Sequence, residues 1–269
     1  MVEYVMVNGL PGKMATAVAE ALMEATDFEL LPYGFTGPGM PADIKVLDKD
    51  IHLVKPEDRL HFLQQNEGIP KFLTVDYTHP TAVLANAGFY CRNNLPFVMG
   101  TTGGDMATLE GVVGRSQISA VIAPNMAKQI VVFQSMMKYA ADTFPNAFKG
   151  YILEITESHQ KGKADTSGTA KDILASFNAL GIPFKKEQIY MIRDPQTQLD
   201  MGVPKEALSG HGWHTYTLRS EKGDVLFQFK HNVNGRSVYA DGTLDALRSL
   251  KTKKEKGKIY TMMDVLKGE

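Results

Sequence analysis

The first half of the chain alternates short apolar segments with segments of helical periodicity. Apolar segments occupy residues 3–7, 29–35, 72–76, 96–99 and 120–123, and helical periodicity covers 15–25, 57–66, 80–93 and 105–114. Such alternation predicts a parallel sheet with helices on both of its faces. Ligands of these sheets bind at the carboxyl ends of the strands, so the polar residues that follow each strand are the candidate binding residues.

The pattern changes after residue 128. An apolar helix is predicted over 130–141, a strand over 151–155 and a further helix from Thr169 onward. Two later stretches, 214–219 and 226–230, alternate in the manner of antiparallel strands with one open face. This part of the chain is therefore predicted to be an α+β arrangement around an open mixed sheet.

Together these patterns predict an α/β protein of two domains. We expect residues 1–128 to form a Rossmann dinucleotide-binding domain, and 129–238 to form a domain for substrate binding and oligomerisation. The tail, 239–269, is predicted to be helical and to pack back on the first domain. The length of 269 residues suits this division.

A glycine-containing turn separates the first strand from the first helix. Its sequence is Asn8-Gly9-Leu10-Pro11-Gly12-Lys13-Met14. A strand, a glycine turn and a helix are the opening of a Rossmann unit, in which the cofactor pyrophosphate lies on the helix N-terminus. We therefore expect cofactor contacts from Gly9, Leu10, Pro11, Gly12, Lys13 and Met14.

The end of the second predicted strand bears on the choice between NADH and NADPH. An NAD-specific site commonly has Asp or Glu there, to bind the ribose 2′-hydroxyl. This chain has Thr36 and Gly37 instead. Together with Lys13, these residues suit a 2′-phosphate, so we expect NADPH as the cofactor and leave NADH open as a second one.

Polar residues follow three further strands of the predicted sheet. They are Asp76, Tyr77 and Thr78; Gly100, Thr101 and Thr102; and Pro124, Asn125 and Met126. Because the carboxyl ends of parallel strands meet at one edge, we expect all of them to contact the cofactor. Simpler roles stay open, with Thr78 and Asn125 as helix caps and Gly100 in a plain turn.

One polar segment in the second half concentrates groups for acid–base chemistry and anion binding. His159 exchanges a proton near neutral pH, and Lys163 supplies a positive charge. Ser167, Gly168 and Thr169 stand at a predicted helix start, where free backbone N–H groups and the helix dipole favour a carboxylate or a phosphate. The segment predicts a small anionic substrate that needs a proton during the reaction. A polar loop followed by a capped helix is the alternative interpretation.

Composition removes several classes of function. Lys and Arg number 29 against 30 Asp and Glu, a formal net charge of −1, which argues against a nucleic-acid-binding protein. The single Cys91 excludes an intramolecular disulfide, and no apolar run reaches the length of a membrane span. Residues 1–7 lead directly into the predicted fold, so no signal peptide is expected, and we predict no metal site.

The motifs taken together resemble the 4-hydroxy-tetrahydrodipicolinate reductase (dihydrodipicolinate reductase) family nearly from end to end. They are Gly9-x-x-Gly12-x-Met14, Asp76-Tyr77-Thr78-His79-Pro80, Gly100-Thr101-Thr102-Gly103, Ala123-Pro124-Asn125-Met126, the segment that begins Glu157-Ser158-His159, and the tail Tyr260-Thr261-Met262-Met263-Asp264-Val265-Leu266. Gln160 stands where the common bacterial motif has a second histidine, and one residue is missing before Ser167. Both departures resemble the plant-type branch of the family.

The resemblance implies an NAD(P)H-dependent oxidoreductase of lysine and diaminopimelate biosynthesis. It implies hydride transfer to the ring of a cyclic unsaturated dicarboxylate, which yields tetrahydrodipicolinate. His159 would act as general acid, and Lys163 would stabilise developing charge and bind a carboxylate. Substrate contacts would come from Gln160, Ser167, Gly168, Thr169 and Arg236. The simpler interpretation of Arg236 is an arginine on the surface without a role in binding.

Two other functions remain open. One is a different two-domain NAD(P) oxidoreductase acting on a small dicarboxylate, and the other is a non-catalytic dinucleotide sensor. Thiol-dependent semialdehyde dehydrogenases fit less well, because Cys91 lies within a predicted helix. We expect a homo-oligomer, a dimer or a tetramer formed through the sheet of the second domain. Its expected location is the cytoplasm for a bacterial source and the chloroplast stroma for a plant source.

Overall fold

The computed structural model describes residues 2–66 and 68–268. Its strands are β1 (Glu3–Asn8), β2 (Phe28–Leu30), β3 (Tyr33–Phe35), β4 (Asp43–Val46), β5 (Lys49–Val54), β6 (Phe72–Asp76), β7 (Phe97–Met99), β8 (Ala120–Ile122), β9 (Tyr151–His159), β10 (Tyr190–Ile192), β11 (His211–Ser220), β12 (Leu226–Asn234) and β13 (Ile259–Tyr260). Its helices are α1 (Lys13–Glu24), α2 (Arg59–Gln65), α3 (Val83–Arg92), α4 (Met106–Gly114), α5 (Lys128–Thr143), α6 (Gly168–Ala179), α7 (Pro195–Asp200), α8 (Ser237–Leu250) and α9 (Met262–Lys267).

Contacts between residues divide the chain into two compact units. The first is Met1–Lys128 with Ser237–Glu269, and the second is Gln129–Arg236. They are called the N-terminal unit and the central unit below. Within the described ranges, no helix is both long enough and apolar enough to cross a bilayer.

The N-terminal unit is built on a six-stranded parallel sheet in the order β13-β8-β7-β6-β1-β2. Helix α1 buries Ala15, Val18, Ala19 and Leu22, a spacing that forms one face of a helix, and α8 of the tail packs against α1. The predicted Rossmann-like α/β fold is therefore confirmed. Its topology places the carboxyl ends of β1, β6, β7 and β8 side by side at one edge of the sheet.

The tail departs from the helical prediction between Leu250, where α8 ends, and Met262, where α9 begins. Ile259 and Tyr260 form β13, which pairs with Ala120 and Val121 of β8 and adds a strand to the edge of the sheet. A β-branched residue beside an aromatic one favours an extended strand. The strand is too short for its alternation to be recognised in the sequence.

The second predicted strand, 29–35, is in fact two strands that belong to two sheets. Pro32 separates them, because proline has no N–H to donate to a neighbouring strand. β3 joins a separate sheet in the order β3-β5-β4, which the sequence analysis does not predict. The β4–β5 turn lies at Leu47 (φ 52°) and Asp48, without the Asn-Gly or Asp-Gly pair that marks such hairpins.

The central unit holds a four-stranded sheet in the order β10-β9-β11-β12. β10 runs parallel to β9, whereas β11 is antiparallel to β9 and to β12. Residues of α5 and α6 pack with one face of the sheet in a common core that includes Ile155, Phe177 and Tyr216. Ile152 and Leu226 are exposed. The predicted α+β arrangement with an open mixed sheet is confirmed.

One boundary in this unit differs from the sequence-based expectation, and one helix lies where the sequence analysis makes no prediction. β9 continues to His159, beyond the predicted 151–155, so the start of the polar segment is a strand and not a loop. Between β10 and β11 the chain forms α7, whose cap Asp194 accepts from Thr197 N (2.8 Å). Both differences bear on the candidate site, because they fix residues that a loop would leave unplaced.

Candidate active site

The predicted cofactor residues gather at the carboxyl edge of the six-stranded sheet. Backbone hydrogen bonds join the segments that follow its strands: Gly9 N donates to Phe35 O (2.9 Å), and Tyr77 N donates to Asn8 O (3.1 Å). Helix α1 begins after Gly12, which provides no side-chain cap. The N–H groups of the first turn are thus left for an anion such as the pyrophosphate of a dinucleotide.

Gly9 is required by the close approach of two backbone segments. Its φ is +98°, and a Cβ at this position would lie 2.2 Å from Tyr77 O. Gly12 N donates to Gly9 O (2.8 Å), which closes the turn. Gly9 therefore determines the shape of the turn, and no residue with a Cβ fits at its position.

Exposure divides the predicted cofactor residues into two groups. Exposed or partly exposed are Gly9, Pro11, Gly12, Lys13, Met14, Tyr77, Thr78, Gly100, Thr101, Thr102, Pro124 and Asn125. Buried, with 2 % or less of their surface exposed, are Leu10, Thr36, Asp76 and Met126. The side chains of the buried group offer almost no surface to a cofactor and shape the loops instead, so contacts from these residues would come from their backbone and stay predictions.

Asp76 is the centre of a buried hydrogen-bond network. Its Oδ1 accepts from the Thr78 N–H (3.1 Å), the Thr78 hydroxyl (2.8 Å) and the Thr101 hydroxyl (2.7 Å). Its Oδ2 accepts from Asn86 Nδ2 (2.9 Å) and the Tyr90 hydroxyl (2.7 Å). Both oxygens are fully satisfied, and the carboxylate fixes the segments after β6 and β7 against α3.

Arg59 extends this network to the end of β3. Its Nη1 donates to Asn86 Oδ1 (2.8 Å), and its Nη2 donates to Thr36 O (3.0 Å). The Thr36 hydroxyl donates to Leu10 O (2.7 Å), so it holds the glycine turn and is not free to bind a 2′-phosphate. The 2′-phosphate prediction therefore rests chiefly on Lys13, which is exposed at the start of α1.

The hydrogen bonds of Asn125 and Thr78 bear on the cap roles left open for them. Asn125 Oδ1 accepts from Ala127 N (3.0 Å), and because Ala127 precedes α5, this bond forms a turn before the helix and the cap role of Asn125 stays a prediction. Thr78 does not cap the helix that follows it, because His79 takes that position and accepts an N–H with its Nδ1. Thr78 instead donates its hydroxyl to Asp76, and its N–H is shared between Asp76 and the Thr101 hydroxyl (2.9 Å).

His159 is the last residue of β9 and lies beside β11. Its Nδ1 is 2.9 Å from His211 O, and because a carbonyl only accepts, Nδ1 carries the proton and Nε2 has a lone pair. That Nε2 is buried and has no hydrogen-bond partner among the described residues. Burial, and after it the neighbouring His214, lowers the pKa of His159 to about 4, so the imidazole is neutral at pH 7.

Gly212 allows the imidazole to reach this position. It is the partner of His159 in the β9–β11 ladder, and a Cβ there would lie 2.9 Å from His159 Cε1. Any other residue would displace the ring. The only signal in the sequence is a glycine beside a predicted strand, which marks close approach of another group.

Glu157 is a fully buried carboxylate of the same strand. It accepts from Ser167 N (3.1 Å) and pairs with the guanidinium of Arg193, and His214 Nε2 lies 3.7 Å from its Oε2. Burial by itself would raise the pKa of Glu157. The interactions with His214, Arg193 and the Ser167 N–H outweigh that effect and lower the pKa to about 2, so Glu157 is ionised at neutral pH.

Ser167 is the N-cap of α6, as the simpler interpretation held. Its Oγ accepts from Ala170 N (3.0 Å) and lies 2.9 Å from His214 Nε2. Its N–H binds Glu157 as well, so Ser167 supports the helix start, and its expected substrate contact stays a prediction. Gly168 is exposed, and a Cβ there would meet nothing within 4 Å, so a substrate carboxylate has access to this helix end.

Several buried polar atoms around this cluster have no partner in the described part of the chain. They are His159 Nε2, His214 Nδ1, both ring nitrogens of His231 and the Tyr216 hydroxyl. The His214 ring lies 5.0 Å from that of His159 and 4.7 Å from that of His231, between centroids. Native proteins leave few buried polar groups unsatisfied, and those that remain often have a catalytic or ligand-binding role.

Lys163, Gln160 and Arg236 are all partly exposed. Lys163 N donates to Gln160 O (3.0 Å), which makes a turn after β9. Arg236 Nη2 lies 3.5 Å from Ser209 O, so this side chain packs on the segment that leads to His211. The substrate contacts expected of these three residues stay predictions.

Three residues of the cluster are of metal-binding types. Glu157, His159 and His214 each offer a ligand atom within 4.8 Å of the others. The carboxylate is already neutralised by Arg193, whose guanidinium would repel a divalent cation at the same group. We therefore interpret the cluster as one for protons and organic anions.

Comparison with known proteins bears on both units. The family models described as dihydrodipicolinate reductase, N-terminus, and dihydrodipicolinate reductase, C-terminus, match residues 4–126 and 129–266. The chain belongs to the dihydrodipicolinate reductase family. It is therefore an oxidoreductase that uses NAD(P)H, as the sequence motifs imply.

Relatives of the reductase family place the chain near the plant members. It is 45 % identical over 269 residues to the probable 4-hydroxy-tetrahydrodipicolinate reductase 1, chloroplastic, of Oryza sativa subsp. japonica, covering 98 % of this chain and 78 % of the relative. It is 44 % identical to the chloroplastic reductase 1 of Arabidopsis thaliana, covering 98 % and 77 %. The plant-type departures in the central motif agree with these identities.

A solved reductase shares the fold. The dipicolinate-bound dihydrodipicolinate reductase from Paenisporosarcina sp. TG-14 matches with a TM-score of 0.66 and 20 % identity, covering 97 % of this chain and 98 % of that one. At this identity the likeness supports the fold, and the roles of individual residues are argued from the geometry above.

Sequence reasoning misses the residues that complete the site from distant positions. The hydroxyl of Tyr77, a residue predicted to contact the cofactor, lies 2.7 Å from Thr243 Oγ1, and Thr243 is not among the predicted residues. Burial raises the pKa of Tyr77 to about 12. In the central unit the missed residues are His214, Arg193 and Gln198. Their signals are weak, because a histidine in a strand or an arginine after a short strand is more often structural than catalytic.

Proposed function

We propose that this protein reduces 4-hydroxy-tetrahydrodipicolinate to tetrahydrodipicolinate with NADPH, in lysine and diaminopimelate biosynthesis. The observation that carries the proposal is His159, a neutral imidazole with an unpartnered Nε2, on the strand that precedes Lys163 and the start of α6. Membership of the reductase family supports the reaction class. The names of the plant relatives support the substrate.

His159 supplies the proton in this proposal. Hydride addition to a conjugated C=C–C=N system adds an electron pair to the ring, and a proton must follow while water leaves from the hydroxylated substrate. The low pKa of His159 means that the free protein holds no proton on Nε2 at pH 7. A dianionic substrate nearby stabilises the imidazolium, so we expect the proton to be taken up together with the substrate.

Lys163 and the start of α6 bind the two substrate carboxylates. The Lys163 ammonium offers a positive charge next to the developing anion. The second carboxylate lies at the backbone of Gly168 and Thr169, where the helix dipole favours a negative charge. Gln160 and Arg236 complete the substrate contacts by hydrogen bonds to carboxylate oxygens.

The cofactor preference for NADPH rests on the N-terminal unit. No Asp or Glu follows β3 to bind a ribose 2′-hydroxyl, and Lys13 is exposed at the start of α1. A 2′-phosphate would gain from this ammonium, and NADH would lack that contact. We therefore propose NADPH as the preferred cofactor, with slower use of NADH.

The assembly and compartment are also proposals. Residues of the central sheet such as Ile152, Tyr190 and Leu226 are exposed, and large exposed apolar side chains favour a contact between copies of the chain. We propose a dimer or tetramer through this sheet. The compartment follows the source, the chloroplast stroma in a plant and the cytoplasm in a bacterium.

A coupled assay tests the proposal. Dihydrodipicolinate synthase makes the unstable substrate from pyruvate and aspartate semialdehyde, and absorbance follows the oxidation of NADPH or NADH. We expect oxidation that depends on the coupling enzyme and is faster with NADPH. Protein that binds NADPH but oxidises neither cofactor in this assay would contradict the function and favour the dinucleotide sensor.

A further inference from the structure

Arg193 follows β10 and has only 18 % of its side chain exposed. Its Nη2 pairs with the Glu157 carboxylate, and its Nε donates to Lys163 O (2.9 Å). Its Nη1 donates to Ile192 O (3.1 Å) and lies 3.5 Å from Glu157 O. One planar group therefore binds both the strand that carries His159 and the turn that carries Lys163.

A second side chain from the same region holds the other end of this turn. Gln198 of α7 is buried, and its Nε2 donates to His159 O (2.7 Å) and to Ile192 O (3.2 Å). The backbone between the imidazole and the ammonium is thus fixed at both ends from outside the polar segment. Lys163 N closes the turn on Gln160 O, so little freedom remains in its main chain.

We propose that Arg193 is a positioning residue: by binding Glu157 and the Lys163 carbonyl at once, it fixes the Lys163 main chain relative to His159. This inference rests on the proposed function, in which both residues act on one substrate. A guanidinium presents its donors in a rigid planar fork, whereas an ammonium is a point charge. Only the fork serves both acceptors in this geometry, and a displacement of about 1 Å can lower a rate about 10²-fold.

The competing role for Arg193 is to neutralise Glu157 and nothing more. Removal of Arg193 alone would leave a buried carboxylate unpaired, and such a variant is expected to fold poorly. Two other variants separate the roles. Arg193→Lys keeps the positive charge and loses the fork, and the double variant Glu157→Gln with Arg193→Gln removes both charges and leaves no unpaired ion.

The experiment measures substrate and cofactor kinetics for these variants, each in the wild-type and in the Lys163→Ala background. We expect kcat/KM for the substrate to fall about 10–100-fold in both variants, while KM for NADPH stays near its wild-type value. In the Lys163→Ala background the same changes should have little further effect, because the residue to be positioned is absent. Arg115→Lys, at an exposed arginine of the N-terminal unit, is the matched control.

Two results would overturn the inference. One is recovery of wild-type kcat/KM in the double variant, and the other is a full further loss in the Lys163→Ala background. Either would leave Arg193 as the charge partner of Glu157 only. A wild-type protein that oxidises no NADPH in the same assay would contradict the proposed function itself, so the two failures are told apart.

Discussion

The two units each bury a polar network, and the networks differ in how completely they are satisfied. In the N-terminal unit both oxygens of Asp76 are saturated by donors from Thr78, Thr101, Asn86 and Tyr90. In the central unit, buried nitrogens of three histidines and one tyrosine hydroxyl have no partner among the described residues. The Asp76 network also includes Arg59, of whose side-chain nitrogens Nε lacks a partner among the described residues.

This difference distinguishes a network with a structural role from one with a role in the reaction. A saturated buried carboxylate cannot bind a ligand, and its value is the fixed position of the loops that its partners belong to. An unpartnered imidazole nitrogen is costly to bury, by about 1–3 kcal/mol, and the cost is recovered when a substrate supplies the missing partner. We therefore expect substitutions in the central network to affect turnover, and those in the N-terminal network to affect stability and cofactor binding.

The largest effect is expected from His159→Gln. Glutamine can still donate to His211 O, but it cannot transfer a proton. We expect kcat to fall about 10²–10⁴-fold, with a far smaller change in KM for the substrate, in steady-state assays of NADPH oxidation. His61→Gln, at an exposed histidine of the N-terminal unit, is the control. Near-normal kcat in the His159 variant would remove its role as general acid.

Lys163→Ala should have the next largest effect and should change both kinetic parameters. The ammonium stabilises charge in the transition state and binds a carboxylate in the ground state, so kcat falls and KM for the substrate rises. We expect a loss of about 10²–10³-fold in kcat/KM. Lys161→Ala changes an exposed lysine of the same turn and is the matched control. Equal, small effects of the two substitutions would assign Lys163 to a solvated turn.

Asp76→Asn tests the other side of the comparison. Both Asp76 oxygens accept hydrogen bonds, so an asparagine would place its NH₂ group against hydrogen-bond donors at one of the two positions. We therefore expect the free energy of unfolding to fall by about 2–3 kcal/mol. Fluorescence titration should show weaker NADPH binding, while kcat at saturating cofactor changes little. Asp105→Asn, at the exposed cap of α4, is the control, since asparagine caps as well as aspartate. A selective loss of kcat in the Asp76 variant would contradict the supporting role.

The smallest effect is expected from His231→Leu, and it concerns stability against acid. Burial lowers the pKa of His231 to about 4 from its ordinary 6.5, so the unfolded chain binds a proton that the folded state refuses. His231 therefore makes the protein less stable as pH falls from 6.5 towards 4, by about 1–2 kcal/mol at pH 5. Thermal unfolding at pH 7 and pH 5 should show a smaller drop for the leucine variant. An identical drop in the two proteins would mean that the pKa of His231 is the same in the folded and the unfolded chain.

The order of strands and helices in the N-terminal unit follows from the sequence because each element buries one regular face. The prediction fails where the signal is local and weak. Pro32 divides a strand that hydrophobicity alone joins, and the β4–β5 turn at Leu47 and Asp48 carries no glycine. The strand at Ile259 is too short to show a period.

The site was predictable where its residues are close in sequence. His159 and Lys163 stand out because their spacing puts an acid and a cation in one polar segment. Arg193, His214 and Gly212 come to them through strand pairing and long-range contacts, which one sequence does not reveal. The sequence also does not reveal which side chains are exposed, so Asp76 was expected at the cofactor although its carboxylate is buried.

The dependence of kcat and kcat/KM on pH tests the central claim most directly, namely that the unpartnered nitrogen of His159 delivers the proton. The profile of kcat/KM reports the free protein, in which the pKa of His159 is about 4, and the profile of kcat reports the substrate complex. We predict that kcat falls with rising pH through a pKa well above 4, because the bound dianion stabilises the imidazolium, and that His159→Gln abolishes this step. Profiles of the same shape in the wild-type protein and the His159→Gln variant would contradict the account.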